Sequence, residues 1–403
     1  MLYQFSFKNF KSYRDETTLD LQASKIDEQE ERIIHTEDGK RFLPISVIYG
    51  PNGGGKSNVL EAFVYLISKI MVPISVARSG KNDDKVPTIV SKPFKFDNDS
   101  INAPSKFELF FRTKKNEYKY NISIFDNKII SESLLKRGIG GKKLSSIFDR
   151  NSEIKTGTIL KGVKSTEISP YIPYLSFLKI GYEISVIDDV IKWFDSSEIH
   201  NYGNPIRDFG ISLTDAKKYK KQVIEMFNEM DTDIIYFRDK QDKEGNIVVY
   251  TKHSAKKVLD AELSLLEESD GTIKLFGLIP FVISSIKNGS LMAVDELDAK
   301  LHPKLLRYII ELFKNPDINK HKAQLIFTSH DLSTMNNSVF RRDEIWFAAK
   351  NSDDASELYS LVEFRKKNGE IPRKDETFDK QYLEGRYGAD PYLKRMLNWE
   401  EIL

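Results

Sequence analysis

Lys56 and Ser57 close the run Gly50-Pro51-Asn52-Gly53-Gly54-Gly55-Lys56-Ser57, a complete GxxxxGKS loop, with Asn58 directly after it. Glycines at these spacings let a backbone wrap an anion with its N–H groups turned inward, and the helix that follows the loop adds its positive end. The lysine then reaches the β- and γ-phosphates of a nucleoside triphosphate, and the serine hydroxyl holds magnesium. Asn52, Gly53, Gly54, Gly55, Lys56, Ser57 and Asn58 are therefore the candidate nucleotide contacts, with ATP and Mg2+ as the expected ligands. A second constellation lies far downstream. Leu291-Met292-Ala293-Val294-Asp295-Glu296 is an apolar run ending in two carboxylates. Asp295 suits the hydration shell of magnesium, and Glu296 suits a general base that polarises an attacking water. Leu325-Ile326-Phe327-Thr328-Ser329-His330 delivers a histidine in the same way, where it can donate to a γ-phosphate and register its loss. Together these residue types read as phosphoryl transfer to water.

The elements that must position them follow from periodicity. Ile45 to Tyr49 is an apolar strand before the glycine loop, and Asn58 to Met71 an amphipathic helix after it. Alternation predicts two strands within Leu2 to Leu21, joined by a turn at Asn9 to Asp15, and further strands at Phe94 to Phe96, Lys106 to Arg112 and Glu117 to Phe125. This is an antiparallel β layer beside the nucleotide loop. Ser131 to Gly162 is rich in Gly, Lys and Ser with weak periodicity and reads as loop-rich. Tyr174 to Phe194 and Thr214 to Met230 carry helical patterns, and Ile234 to Arg238 with Asn246 to Lys252 reads as a hairpin around Asp242 to Gly245. Helices are also expected over Ile273 to Ile286 and over Pro303 to Phe313, where Pro303 fits a first turn. The expected class is α/β: an N-terminal lobe over 1–125, a loop-rich and helical insertion over 126–255, and a C-terminal lobe over 256–403.

Composition narrows the class further. Of 403 residues, 40% are hydrophobic and 30% charged, which fits a folded globular chain. The 61 basic and 60 acidic residues nearly cancel, so bulk charge does not favour a nucleic-acid partner over others. Without cysteine, disulfides and thiolate metal sites are excluded. Lys8, Lys11, Arg14, Asp15 and Glu16 interrupt any N-terminal signal peptide. No apolar stretch is expected to reach the roughly 18 residues of a membrane span, Phe276 to Ile286 being the nearest. These features point to a cytoplasmic protein without a membrane partner.

Between the two constellations lies Glu268-Ser269-Asp270-Gly271-Thr272, just before a helix. Ser269 and Gly271 suit a second anion contact, and equally an ordinary helix cap. Asp298 suits a contact with a partner subunit, and His302 a helix start.

The order of these motifs resembles ABC-type ATPases of the SMC and RecF group, most closely the short OLD-like ATPases of abortive-infection and phage-defence loci. The resemblance rests on Phe7-Lys8-Asn9-Phe10-Lys11-Ser12-Tyr13, the glycine loop, the ESDGT segment, VDELDAKLHP, FTSH and Gly385-Arg386-Tyr387-Gly388-Ala389-Asp390-Pro391. It implies an ATPase head whose copies bind face to face as a homodimer or higher oligomer. Ser269 and Gly271 would then meet a partner's γ-phosphate, and Lys11 and Ser12 would approach the nucleotide from the N-terminal turn, residues that by themselves read equally as a solvated turn. The helical patterns do not sustain heptads, so no long coiled coil is expected. Two departures stand out. Asp270 replaces a glycine and Thr272 a glutamine of the usual signature, so like-charge repulsion near a triphosphate should slow turnover. No glutamine-bearing loop follows the first helix; Pro93 to Asp97 stands there instead.

The stretch after His330, the last histidine, is short for a metal-dependent nuclease domain. A separately encoded effector, a nuclease or toxin, is therefore the expected partner. Arg365, Lys366, Lys367, Arg373 and Lys374 suit either a soluble surface or nucleic acid. The alternative is a RecF-like repair ATPase acting as an ATP-gated DNA clamp. An ABC transporter motor fits poorly, given the Phe7 to Tyr13 element and the altered signature.

Overall fold

A computed structural model of the chain describes residues 1–79, 89–163, 168–201, 209–230, 233–254, 261–365 and 369–389. They form two compact units that interleave along the sequence. One takes residues 2–28, 46–190 and 332–403; the other takes residues 29–45 and 191–331 together with Met1.

The first unit carries the glycine loop. Its seven-stranded antiparallel sheet runs, in spatial order, Ile154–Thr156, Ser145–Arg150, Lys128–Gly138, Asn116–Phe125, Ser105–Arg112, Leu2–Lys8 and Thr17–Asp20. The expected N-terminal strand pair forms, with Gln4 opposite Asp20 and Phe7 opposite Thr17. Its inward side chains, among them Phe5, Phe107, Leu109 and Phe111, are buried. The helix Lys56–Ser79 lies on them, with the Phe63 ring 4.0 Å from Phe5 and Tyr65 5.2 Å from Phe107. A second layer has Ile345–Lys350 parallel to the loop's strand, Val47 opposite Ile345, and antiparallel to Ser356–Ser360.

Several expectations need correcting here. The reading of Ser131 to Gly162 as loop is wrong, because three strands of the sheet lie there. Their Gly and Lys cluster is one hairpin turn, with Gly140 at φ +74. Their alternation is masked because an inward position is held by Glu132, fully buried. Its carboxylate accepts from the backbone N–H groups of Tyr174 and Leu175 at 2.5 and 3.0 Å and from the Tyr120 hydroxyl at 2.9 Å. Burial raises its pKa from the ordinary value.

Phe94 to Phe96 is not a strand either: Phe94 N–H donates to Asn9 Oδ1 at 3.0 Å, and Asp97 caps the short helix Asn98–Ile101. The pattern over Tyr174 to Phe194 resolves into two helices, Tyr174–Gly181 and Ser185–Asp195.

The helix Lys56–Ser79, and not the Phe276 to Ile286 run, is long and apolar enough by length and composition to cross a membrane, with a mean hydropathy of 1.8 over its best window. Glu61 and Lys69 hide that run in the sequence. The helix accommodates both, since Glu61 pairs with Lys11 and the Lys69 ammonium donates to the Asn127 carbonyl at 3.2 Å. Of that window, 56% is buried within the protein, so the helix is a core element of this unit. Among the described residues it is the longest helix, at 24 residues.

The second unit carries the acidic strand. Leu291–Asp295 lies between Glu198–Asn201 and Gln324–Thr328, all parallel, with Met292 opposite both Glu198 and Leu325. Leu291–Asp295 and Gln324–Thr328 are buried throughout. The helix Asp270–Asn288 is buried continuously from Lys274 to Ser285 and ends at Gly289 in the left-handed region, φ +67. The expected hairpin is Ile234–Gln241 with Ile247–His253, extended by Glu262–Ser264 into a three-stranded sheet. Its Phe237 packs edge-on to Phe276 at 5.1 Å. Phe209–Lys218 and Lys220–Glu229 replace the single helical pattern of Thr214 to Met230.

Candidate functional site: a phosphate loop and an acidic strand

In the first unit the loop between Tyr49 and Lys56 is shaped by what stands behind it. A Cβ on Gly50 would lie 2.1 Å from the Ala348 carbonyl oxygen, and one on Gly54 2.6 Å from the same atom. Gly53 and Gly55 have φ of +75 and +110, and a Cβ on Gly55 would meet the Ser356 hydroxyl at 2.5 Å. The loop is thus pressed against the strand ending at Lys350, with only Asn52 and Gly53 exposed. Lys56 is buried, and its ammonium donates to the carbonyls of Gly50 and Pro51 at 2.9 and 3.1 Å. Ser57 and Asn58 open the helix and are partly exposed.

The N-terminal turn reaches this loop. Ser12 Oγ accepts from Asn58 Nδ2 and from the Ser356 hydroxyl, each at 2.7 Å, and the Tyr13 hydroxyl donates to the Gly55 carbonyl at 3.3 Å. Burial raises the Tyr13 pKa well above its ordinary value, so it stays a neutral donor. Lys11, at φ +51, extends its ammonium to Glu61 on the following helix. The late Gly385 to Ala389 segment is packing: Tyr387 is buried, stacked 5.3 Å from Phe347, and its carbonyl accepts from the Tyr359 hydroxyl at 2.6 Å. Asp390, Pro391, Lys366 and Lys367 lie outside the described residues.

In the second unit three separate segments meet at the end of the acidic strand. The Thr328 hydroxyl donates to Asp295 Oδ1 at 2.6 Å and accepts the Glu296 N–H at 2.7 Å. Glu296 sits at φ +51, a left-handed conformation that a side chain rarely adopts. Asp298 Oδ2 accepts the His330 N–H at 3.0 Å, so these two candidates touch through the backbone of one and the side chain of the other. His330 itself is exposed. His302 is the helix-start residue, its Nδ1 accepting from Lys304 N–H at 3.2 Å ahead of Pro303–Lys314.

The Ser269 side chain caps the helix Asp270–Asn288 by accepting from Thr272 N–H at 3.2 Å. Glu268, just before it, lies 2.6 Å from His253 Nε2 and accepts from the Thr251 hydroxyl. Asp270 pairs with Lys300 at 2.7 Å, both side chains exposed. A Cβ on Gly271 would stand 3.0 Å from the Lys300 carbonyl oxygen, so the ESDGT segment abuts the loop after the acidic strand.

Sequence reasoning missed Lys274. The residue is 1% exposed, and its ammonium donates to the carbonyls of Glu296, Leu297 and Ala299 at 2.7, 2.9 and 2.7 Å. Burial pushes its pKa down to about 8, against the opposing pull of the Asp298 and Glu296 charges. The signal was available: Lys274 is the one charged residue between Asp270 and Lys287.

The family match decides what kind of domain this is. Residues 45–336 match the family described as "AAA domain, putative AbiEii toxin, Type IV TA system". The chain belongs to this AAA family. The match takes in the glycine loop, the ESDGT segment, the acidic strand and His330, so the expected kinship with abortive-infection ATPases is met and the chain is a P-loop ATPase domain. No curated protein matches the chain.

Two solved structures of the recombination mediator protein RecF are similar to this AAA domain at 11% identity. The one titled RecF-ATPrS covers 89% of this chain and 98% of its own with a TM-score of 0.33; the one titled RecF-ATP covers 89% and 97% with a TM-score of 0.29.

The donor chemistry of the AAA domain suits its expected ligands. The exposed tip at Asn52 and Gly53, where nothing lies within 4 Å of a Cβ on Gly53, leaves backbone against which a polyphosphate can lie. Among the described residues no group of three or more His, Cys, Asp or Glu gathers as a metal cage. Each unit offers an oxygen of the kind magnesium takes beside waters and phosphate oxygens, the Ser57 hydroxyl in the first and the Asp295 carboxylate in the second.

Proposed function

We propose that this AAA domain is an ATP-binding and ATP-hydrolysing switch of a prokaryotic anti-phage system. Copies assemble head to head on ATP and thereby control a separately encoded effector in the cytoplasm. The single observation that carries the ATPase reading is the glycine cradle pressed on Ala348, with Lys56 opening the helix beneath it. The defence role is supported by the family's description, which names a putative AbiEii toxin and a Type IV TA system.

Magnesium, held by Ser57 and through water by Asp295, would neutralise the phosphate oxygens. Lys56 takes up charge that develops on the β- and γ-phosphates, and Glu296 orients a water and accepts its proton. His330 donates to the γ-phosphate, so its loss on hydrolysis changes what His330 holds. Ser269 and Gly271 meet the γ-phosphate of a partner copy, and Lys11 and Ser12 line the nucleotide from the N-terminal turn. Turnover is slow, because Asp270 brings a negative charge toward that phosphate.

The deciding experiment is a pull-down from the native host with the Glu296→Gln protein in magnesium and ATP. A stoichiometric protein partner, released when Lys56→Ala is used instead, is the expected result. Protection from infection that survives Lys56→Ala would sink the switch. Recovery of DNA alone, with ATP-strengthened and salt-sensitive binding, would replace it by an ATP-gated DNA clamp.

A further inference from the structure

The loop after the acidic strand runs against its own backbone preferences. Glu296 and Lys300 both sit in the left-handed region, at φ +51 and +61. Such residues persist only where their surroundings over-determine them. Most of the groups that hold this loop lie on the helix opening with Ser269-Asp270-Gly271. Lys274, one turn into that helix, gives all three ammonium protons to the carbonyls of Glu296, Leu297 and Ala299. At the surface Asp270 adds its ion pair to Lys300, and Gly271 lies against the Lys300 carbonyl. An alkyl side chain at 274 would leave three carbonyls without that donor and release the loop.

We infer that Lys274 is a positioning residue for Glu296, fixing the carboxylate's backbone to the ESDGT segment so that whatever binds Ser269 and Gly271 also sets the attitude of Glu296 in the same chain. The inference rests on the ATPase reading for its catalytic half and on geometry alone for its structural half. In a head-to-head assembly it gives a route by which nucleotide held by one copy acts on hydrolysis by the other. Lys274 touches no reacting atom; it acts through the loop.

The test compares wild type, Lys274→Met and Lys274→Arg in the full chain, each first confirmed as folded by its thermal transition. Amide hydrogen exchange without nucleotide reads the loop directly. In Lys274→Met the amides of 296–301 should exchange about tenfold faster or more while those of Leu291–Val294 stay protected. In steady-state turnover kcat should fall about 10- to 100-fold, as misplacement of a reacting group by an ångström does, with affinity for a fluorescent ATP analogue within about twofold. Lys274→Arg, which keeps charge and donors, should recover part of kcat.

Unchanged exchange in the Met variant overturns the inference whatever the activity. So does faster exchange with kcat unchanged, or a loss of ATP affinity that matches the loss of kcat. A wild-type protein that binds ATP but never hydrolyses it overturns the ATPase reading and the catalytic half with it, while the exchange data still decide whether Lys274 holds the loop. If Lys274→Met fails to fold, the Arg variant carries the test: wild-type folding with wild-type exchange but no recovered turnover would count against positioning.

Discussion

The phosphate loop and the acidic-strand loop reach unusual backbone conformations by opposite means. Around Gly50 to Lys56 the chain uses glycine, which adopts positive φ without cost from a side chain and lets the backbone lie so near Ala348 that a Cβ on Gly50 or Gly54 would fall 2.1 or 2.6 Å from its carbonyl oxygen. Around Glu296 to Lys300 it keeps side chains at positive φ and holds them with buried donors from other segments, Lys274 and Thr328. The difference follows from what each loop must present. A phosphate cradle offers backbone N–H groups and needs no side chain along the loop itself, whereas a general base, the role proposed for Glu296, needs an ionisable side chain, so glycine cannot stand there. A conformation built from glycine is written locally; one built around a required side chain has to be supported from elsewhere.

Substitutions should separate the two loops. The largest effect should come from the packing behind the cradle. Tyr387→Ala removes a buried ring stacked on Phe347 and should cost about 3–5 kcal/mol in chemical denaturation. Tyr387→Phe should cost far less, since it loses only the hydroxyl bond to Gln381. A small effect of Tyr387→Ala would mean that the late motif serves docking rather than support of the loop.

Next, Gly50→Ala places a methyl against the Ala348 carbonyl at a φ of +150. It should destabilise by about 1–3 kcal/mol and weaken ATP binding in a direct titration. Thr328→Val, close to isosteric, leaves the Glu296 N–H and Asp295 Oδ1 without the hydroxyl between them. It should cost about 1–3 kcal/mol in a thermal melt. Turnover should fall about tenfold or more while ATP binding persists, as when the partner of a metal ligand is lost. The two loops would then fail differently, one in binding and one in hydrolysis; identical failure would end the contrast.

The smallest effect belongs to the exposed pair Asp270 and Lys300. Asp270→Gly should change stability by less than about 1 kcal/mol, because an exposed ion pair contributes little. Its turnover should rise a few-fold, measured as phosphate release, whereas Lys300→Ala, which leaves Asp270 uncompensated, should lower it. No change in either would show that the acidic signature residue does not reach the phosphate.

Legibility followed the same division. The strand Ile45–Tyr49, the helix after it, the acidic strand Leu291–Asp295, the strand Gln324–Thr328 and the proline-started helix at Pro303 stood out by periodicity and composition. The strands over 128–156 did not, because an inward position held by Glu132 breaks the alternation by which strands are recognised. Nor did the 24-residue extent of the helix Lys56–Ser79, since Glu61 and Lys69 look like interruptions until their partners are known.

By itself the sequence determined the phosphate loop, the acidic strand, the terminal histidine and the family they belong to, because each is contiguous and its chemistry is set by residue type and spacing. Only the tertiary structure decided that Ala348 stands behind the cradle, that Thr328 joins Asp295 to Glu296, that Asp298 holds the backbone of His330, and that Lys274 holds the loop bearing Glu296. The physical reason is that backbone geometry and capping depend on neighbours in the chain, whereas a buried polar group is satisfied by whichever segment packing brings within about 3 Å, and that choice leaves no periodic trace.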